Sequence, residues 1–203
     1  MEKELVLKTI ETYNNCAEEY FQINNSIDVI KSHLEFFIKN LYGTKILDVG
    51  CGPGRDAKFF SEKGFEVVGI DLSEKLLEIA KENAPNAKFY LMDMRDLNFP
   101  DNHFDGLWAC ASFLHIPRKD AQRTLDGFYK VLKPKGLMYI SVKEGTGEKF
   151  VKSNRYGKER YFVYYFSREL KKLIEKSGFK VIKEMIEKKK KMDVTWVNMF
   201  ARK

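Results

Sequence analysis

The sequence predicts one α/β domain built on a mostly parallel, doubly wound sheet, and three observations predict it. Beyond residue 43, short apolar runs of strand length alternate with helical segments. The first two runs, Lys45–Val49 and Glu66–Ile70, are almost continuously apolar, which marks strands buried on both faces. The last two, Phe179–Ile186 and Val194–Ala201, are joined by a short charged stretch and read as an antiparallel hairpin.

The elements follow in order. Residues 4–22 are amphipathic, and Ile27, Ile30, Leu34, Phe37 and Leu41 recur at helical steps until Gly43 stops them. Strands are predicted at 45–49, 66–70, 87–92, 104–110 and 136–142, with helices starting near Arg55, Ser73 and Arg118. Ser73 stands where an N-cap belongs, just ahead of Leu76, Leu77 and Ala80. Alternation of this kind implies right-handed βαβ units with helices on both faces. A further helix over Ser167–Lys176 ends at Gly178. The run Glu187-Lys188-Lys189-Lys190-Lys191 reads as a solvated turn before it reads as a phosphate contact.

The 203 residues suit a single domain, 1–203, and 44% hydrophobic with 32% charged residues is an ordinary globular balance. The longest apolar stretch, Leu107–Leu114, is too short to span a bilayer. The opening Met1-Glu2-Lys3-Glu4 is unlike a signal peptide, so no membrane and a cytoplasmic location are expected. Cys16, Cys51 and Cys110 form no Cys-x-x-Cys pair and the three histidines are scattered, so neither disulfide nor metal is expected. The net charge of +7 invites a nucleic-acid reading. Much of it is lysine beside glutamate on helices, as at Glu74-Lys75 and Lys81-Glu82, the pattern of a solvated face.

Most chemistry is concentrated in Ile46-Leu47-Asp48-Val49-Gly50-Cys51-Gly52-Pro53-Gly54-Arg55-Asp56, a buried strand running into a glycine turn and then a helix. Glycine is needed where backbone bends with positive φ or a ligand must approach closely. In open α/β sheets, ligands bind beyond the carboxyl ends of strands at such a turn. A dinucleotide fingerprint would want a third glycine where Arg55 stands. The segment instead resembles motif I of the class I S-adenosylmethionine-dependent methyltransferases. That resemblance implies a Rossmann-like, seven-stranded, mostly parallel sheet with an antiparallel last strand, and S-adenosyl-L-methionine as cofactor. It also implies cofactor contacts at Asp48, Gly50, Cys51, Gly52, Gly54 and Arg55. Asp71, with Leu72, occupies the position of the family's ribose-binding acid, although helix initiation would also explain it. Asp93 and Met94 fall where the family meets the adenine, and Ala109 lies in the strand beside the transferable methyl. Tyr13-Asn14-Asn15-Cys16-Ala17-Glu18-Glu19-Tyr20 resembles a segment that covers the cofactor, making residues 1–42 a helical cover; Tyr13 and Tyr20 are equally open to a core role.

The acceptor side is less legible. Displacement at a sulfonium needs alignment more than a reactive side chain, and the cofactor carries the chemistry. His115, after the fourth strand, is the first candidate for a general base, a structural histidine being the alternative; Tyr13 and Glu144 are weaker candidates. The insert 144–166 interleaves Lys149, Lys152, Arg155, Lys158 and Arg160 with Phe150, Tyr156, Tyr161, Tyr164 and Tyr165. It reads as a wall for an anionic planar small molecule, a surface stacking RNA bases, or a packed flap. Ser112-Phe113-Leu114-His115 lacks both the Pro-Pro aromatic motif of amine methylation on bases and the Pro-Cys pair of cytosine methylation. A small-molecule acceptor is therefore expected, ahead of RNA or a non-catalytic cofactor-binding module, and nothing in the sequence sets an oligomeric state.

Overall fold

The computed structural model describes residues 2–152, 157–189 and 193–203, with side chains described from residue 5 onward. Arg155, Tyr156, Lys190 and Lys191, singled out in the sequence, lie outside the described residues.

Three helices lead: α1 (Glu2–Asn15), α2 (Ala17–Asn24) and α3 (Lys31–Asn40). The segment expected as one helix over 4–22 is broken at Cys16, whose backbone at φ −127° and ψ 23° leaves the helical region. The break lets α1 lie on the insert while α2 packs on the second crossover helix. Then come β1 (Lys45–Val49), α4 (Arg55–Glu62), β2 (Glu66–Asp71), α5 (Glu74–Asn83), β3 (Lys88–Leu91) and β4 (Phe104–Cys110). A 3-10 turn (Phe113–His115), α6 (Arg118–Val131), β5 (Leu132–Lys143), β6 (Glu148–Lys152), β7 (Glu159–Val163), α7 (Ser167–Lys176), β8 (Lys180–Lys189) and β9 (Val194–Arg202) complete the chain.

Seven strands form one sheet in the order β3-β2-β1-β4-β5-β9-β8. All neighbours pair in parallel up to β5; β9 alone runs antiparallel, wedged between β5 and β8. The short connection from β8 permits no other direction, because a parallel return needs a crossover of a dozen or more residues. Strand β5 starts four residues earlier than the expected 136: Leu132 pairs with Phe104, a bulge follows, and Lys135 takes φ 66°. Pro134, which cannot donate to a ladder, had hidden this irregular start.

Alternation along the central strands divides the core. Leu47, Leu107, Met138 and Ile140 face α6 and α7 through Leu125, Phe128, Leu170 and Ile174. Ile46, Trp108 and Tyr139 face α3 and α4 through Leu34, Phe37 and Phe60. Strand order reverses between β1 and β4, so a crevice opens at their carboxyl ends. The insert folds as a two-stranded flap: Tyr161, Phe162 and Tyr165 are buried while Lys149, Lys152 and Lys158 point outward. Helix α1 clasps this flap through Thr12 Oγ1 to Glu159 O (2.7 Å) and Tyr161 N to Thr9 Oγ1 (2.9 Å). Among the described residues, no helix is long and apolar enough to cross a membrane.

Candidate functional site

The glycine turn is held from both sides. Gly50 and Cys51 donate their N–H groups to Ile70 O at 2.8 and 3.0 Å, and Gly52 donates to Asp71 Oδ2 at 2.9 Å. The other Asp71 oxygen accepts from Ser73 N at 2.9 Å, while Ser73 Oγ caps α5 through Leu76 N. Ser73 Oγ also donates to Asn14 Oδ1 at 2.7 Å, which docks α1 on the start of α5.

Gly50 and Gly52 both have positive φ, 68° and 53°, but for different ends. A Cβ on Gly50 would sit 2.4 Å from Ser112 Cβ, whose hydroxyl bonds Val49 O; a Cβ on Gly52 would meet nothing nearer than Tyr20 at 4.0 Å and would project into the crevice. Gly50→Ala is therefore expected to cost about 2–4 kcal/mol of stability, from collision added to left-handed strain. Gly52→Ala should cost only about 1 kcal/mol, from strain alone. Chemical denaturation of the two variants checks the contrast; equal losses would contradict it.

Two adjoining cavities open at the turn. The smaller, about 110 Å³, has Asp71, Leu72, Asp93 and Met94 on its wall. The larger, about 400 Å³, has Asp48, Cys51 and Arg55 on its wall and extends under α3 and along β5 and β9. Tyr13, Tyr20, Gly50, Gly52 and His115 border both. Two expected contacts lie elsewhere. Gly54 starts α4 and packs on Ala80. Ala109 is fully buried in the core, because its side chain alternates to the α6–α7 face; Cys110 and Ala111 border the cavities instead.

The charged groups have distinct fates. Asp48 is 2% exposed and its Oδ2 has no partner; burial first, then the nearby Asp56 carboxylate, raises its pKa well above the usual carboxylate range. Burial also raises Asp71, against the pull of its backbone donors. Asp93 is gripped by Arg95 at 2.5–3.0 Å. Arg55 turns from the turn itself toward Asp56 (2.6 Å) and Asn24 O (3.2 Å), and Asp56 also accepts from Trp108 Nε1 at 2.8 Å.

His115 Nδ1 lies 2.5 Å from Tyr161 O, a group that only accepts, so Nδ1 carries the proton. Its Nε2 must then accept from the Tyr13 hydroxyl at 3.0 Å, and Tyr13 in turn accepts from Arg160 at 3.0 Å. Burial, with Arg160 and Lys143 adding repulsion, pushes the ring's pKa down to about 3. The expected general base thus has its one lone pair engaged. Tyr13 and Tyr20 meet edge to face at 5.2 Å despite the helix break between them. Glu144, the other weaker candidate for a base, is tied by its backbone to Thr195 and is not among the residues bordering the cavities.

Sequence reasoning missed several groups. Asn14 sits inside the Tyr13–Tyr20 segment and was readable as a polar neighbour; Lys143 borders the larger cavity at the end of β5, where a strand-terminal residue faces a ligand. Asn198 and His33 reach the same cavity from β9 and α3, and no local pattern could have joined them. Among the described residues, no group of His, Cys, Asp or Glu could hold a metal ion.

Residues 46–136 match the family described as a methyltransferase domain. A demethylmenaquinone methyltransferase of Symbiobacterium thermophilum is 33% identical over 173 residues, covering 76% of this chain and 64% of that protein. The chain spans about half the length of the curated relatives it matches. A Burkholderia thailandensis 1,6-didemethyltoxoflavin N1-methyltransferase, solved with S-adenosylhomocysteine, shares the fold at TM-score 0.77 and 21% identity, over all of this chain and 89% of that one. A [4+2]-cyclase shares it at 0.68 and 19%, over 85% and 80%. The sheet order, the glycine turn and the domain match agree: residues 46–136 form a methyltransferase domain, of the class I S-adenosylmethionine-dependent type.

Proposed function

We propose that this protein transfers a methyl group from S-adenosylmethionine to a small molecule lodged in the larger cavity. One observation carries the cofactor reading: a buried carboxylate oxygen, Asp48 Oδ2, stands without a partner on the cavity wall beside the bare backbone of Gly52. An orphaned carboxylate is costly unless a ligand cation satisfies it, and an α-ammonium group suits it. Asp71 at the smaller cavity offers two oxygens to a ribose diol, and Asp93 and Met94 border the space for an adenine.

When bound, the cofactor supplies an electrophilic methyl on sulfonium sulfur. The chain's part is alignment and exclusion of water, which can supply roughly 7–11 kcal/mol of barrier reduction. Tyr13, at the border of both cavities, is oriented by His115 and Arg160, so His115 acts as a positioning residue there. A cavity of about 400 Å³ is within the range of small-ligand pockets, and the named relative acts on demethylmenaquinone. RNA is disfavoured because Tyr161, Phe162 and Tyr165 of the insert are buried while Lys149, Lys152 and Lys158 face solvent, an arrangement that separates the rings from the charges instead of interleaving them at the surface.

Calorimetry with S-adenosylhomocysteine and with NAD tests the reading: only the former should bind. Asp71→Ala should weaken it about tenfold or more, as expected when paired hydrogen bonds are lost. Binding of NAD alone would overturn the proposal. Because a cyclase shares the fold, labelled-methyl turnover on a metabolite pool is the decisive complement.

A further inference from the structure

We propose that the acceptor is an oxyanion, a carboxylate or phosphate on an aromatic body, held by Lys143 and Arg160; the inference rests on the methyltransferase reading above. Lys143 ends β5 and Arg160 lies on β7, and both border the larger cavity. Both pack against the Phe162 ring: Lys143 Nζ lies 3.8 Å and the Arg160 guanidinium 5.2 Å from its centroid. Among the described residues, no carboxylate comes within ion-pair distance of Lys143. The acids on the same cavity are otherwise disposed. Asp56 is taken by Arg55, Glu187 lies 3.7 Å from Lys189, and Asp48 stands at the glycine turn.

Two cations sharing a partly buried cavity repel each other, and burial together with Arg160 pushes Lys143 down to about 8. Lys143 therefore carries its charge at a cost that an arriving anion would relieve, and an oxyanion makes the stronger, charge-assisted hydrogen bonds with donors of this kind. The aromatic body follows from the rest of the wall, where Phe162, Trp196 and Tyr13 present rings. Asn198, 3% exposed, adds an amide nitrogen without a partner on the same cavity, ready for a polar atom of the ligand.

The test is calorimetry on the full chain loaded with S-adenosylhomocysteine, using 2-naphthoate, 2-naphthyl phosphate and uncharged 2-naphthamide. At least one of the two acids should bind tenfold or more tightly than the amide, and which one identifies the oxyanion. Lys143→Met should reduce that preference below threefold, and Lys143→Arg should restore most of it. Equal affinities, no measurable binding of either acid, or an unaltered preference in Lys143→Met would overturn the inference. Lys143 would act in some other way, such as accepting a proton, if turnover fell while the preference stayed. Failure of S-adenosylhomocysteine itself to bind would strike the cofactor reading instead.

Discussion

Replacing Asp48 by Asn is expected to weaken S-adenosylhomocysteine binding about ten- to hundredfold while raising the thermal midpoint of the ligand-free protein. A charge-assisted hydrogen bond contributes about 1.5–3 kcal/mol, which sets the loss of affinity. The gain in stability comes from the same carboxylate. Asp48 is buried, has an oxygen without a partner and faces Asp56. Asn retains the bond accepted from the backbone of Ala57 and removes the charge. The relief should be about 1 kcal/mol, or a few degrees in a chain of this size. Because the folded pKa is raised above the unfolded one, the wild-type penalty develops as pH climbs above the ordinary carboxylate range. The variant's advantage is therefore present at neutral pH and vanishes in acid. Calorimetry and melting curves read both effects; unchanged affinity would place the ammonium group elsewhere.

Acidification should unfold the wild-type protein more steeply than His115→Gln. The folded imidazole has its pKa pushed down to about 3, against about 6.5 in an unfolded chain. Between those values the unfolded state takes up a proton that the folded state refuses, so stability falls as pH drops, by about 1.4 kcal/mol per pH unit. Gln can donate to Tyr161 O and accept from Tyr13, yet it does not titrate. Melting temperatures from pH 7 to pH 4 should diverge steadily, with the variant the more acid-resistant. Parallel curves would mean that the ring is solvated and free to protonate, which would revive it as a base.

The course of the backbone was legible wherever local rules and the fold agree. Continuous apolar runs marked β1 and β2, Ser73 marked the start of α5, and the glycines marked the crevice, because each rests on interactions within a few residues. Legibility ended where an irregular backbone or distant packing took over. Cys16 breaks an amphipathic pattern that runs straight through it, since α1 must reach β7 of the insert as well as α5, on which α2 also packs. On β4, Ala109 packs into the core while Cys110, one position on, borders the larger cavity, because successive side chains take opposite faces of a strand.

The sequence by itself therefore determined the α/β architecture, the turn after β1 and the acids at 48, 71 and 93, all encoded in short contiguous stretches. Only the tertiary structure decided what those groups face. It engaged both nitrogens of His115, turned Arg55 toward Asp56, and left Asp48 with an unpartnered oxygen. It also gathered Lys143, Arg160 and Asn198 around one cavity from three separate strands. The reason is physical: protonation and hydrogen bonding depend on burial and on neighbours across the chain, and neither has a period along a sequence.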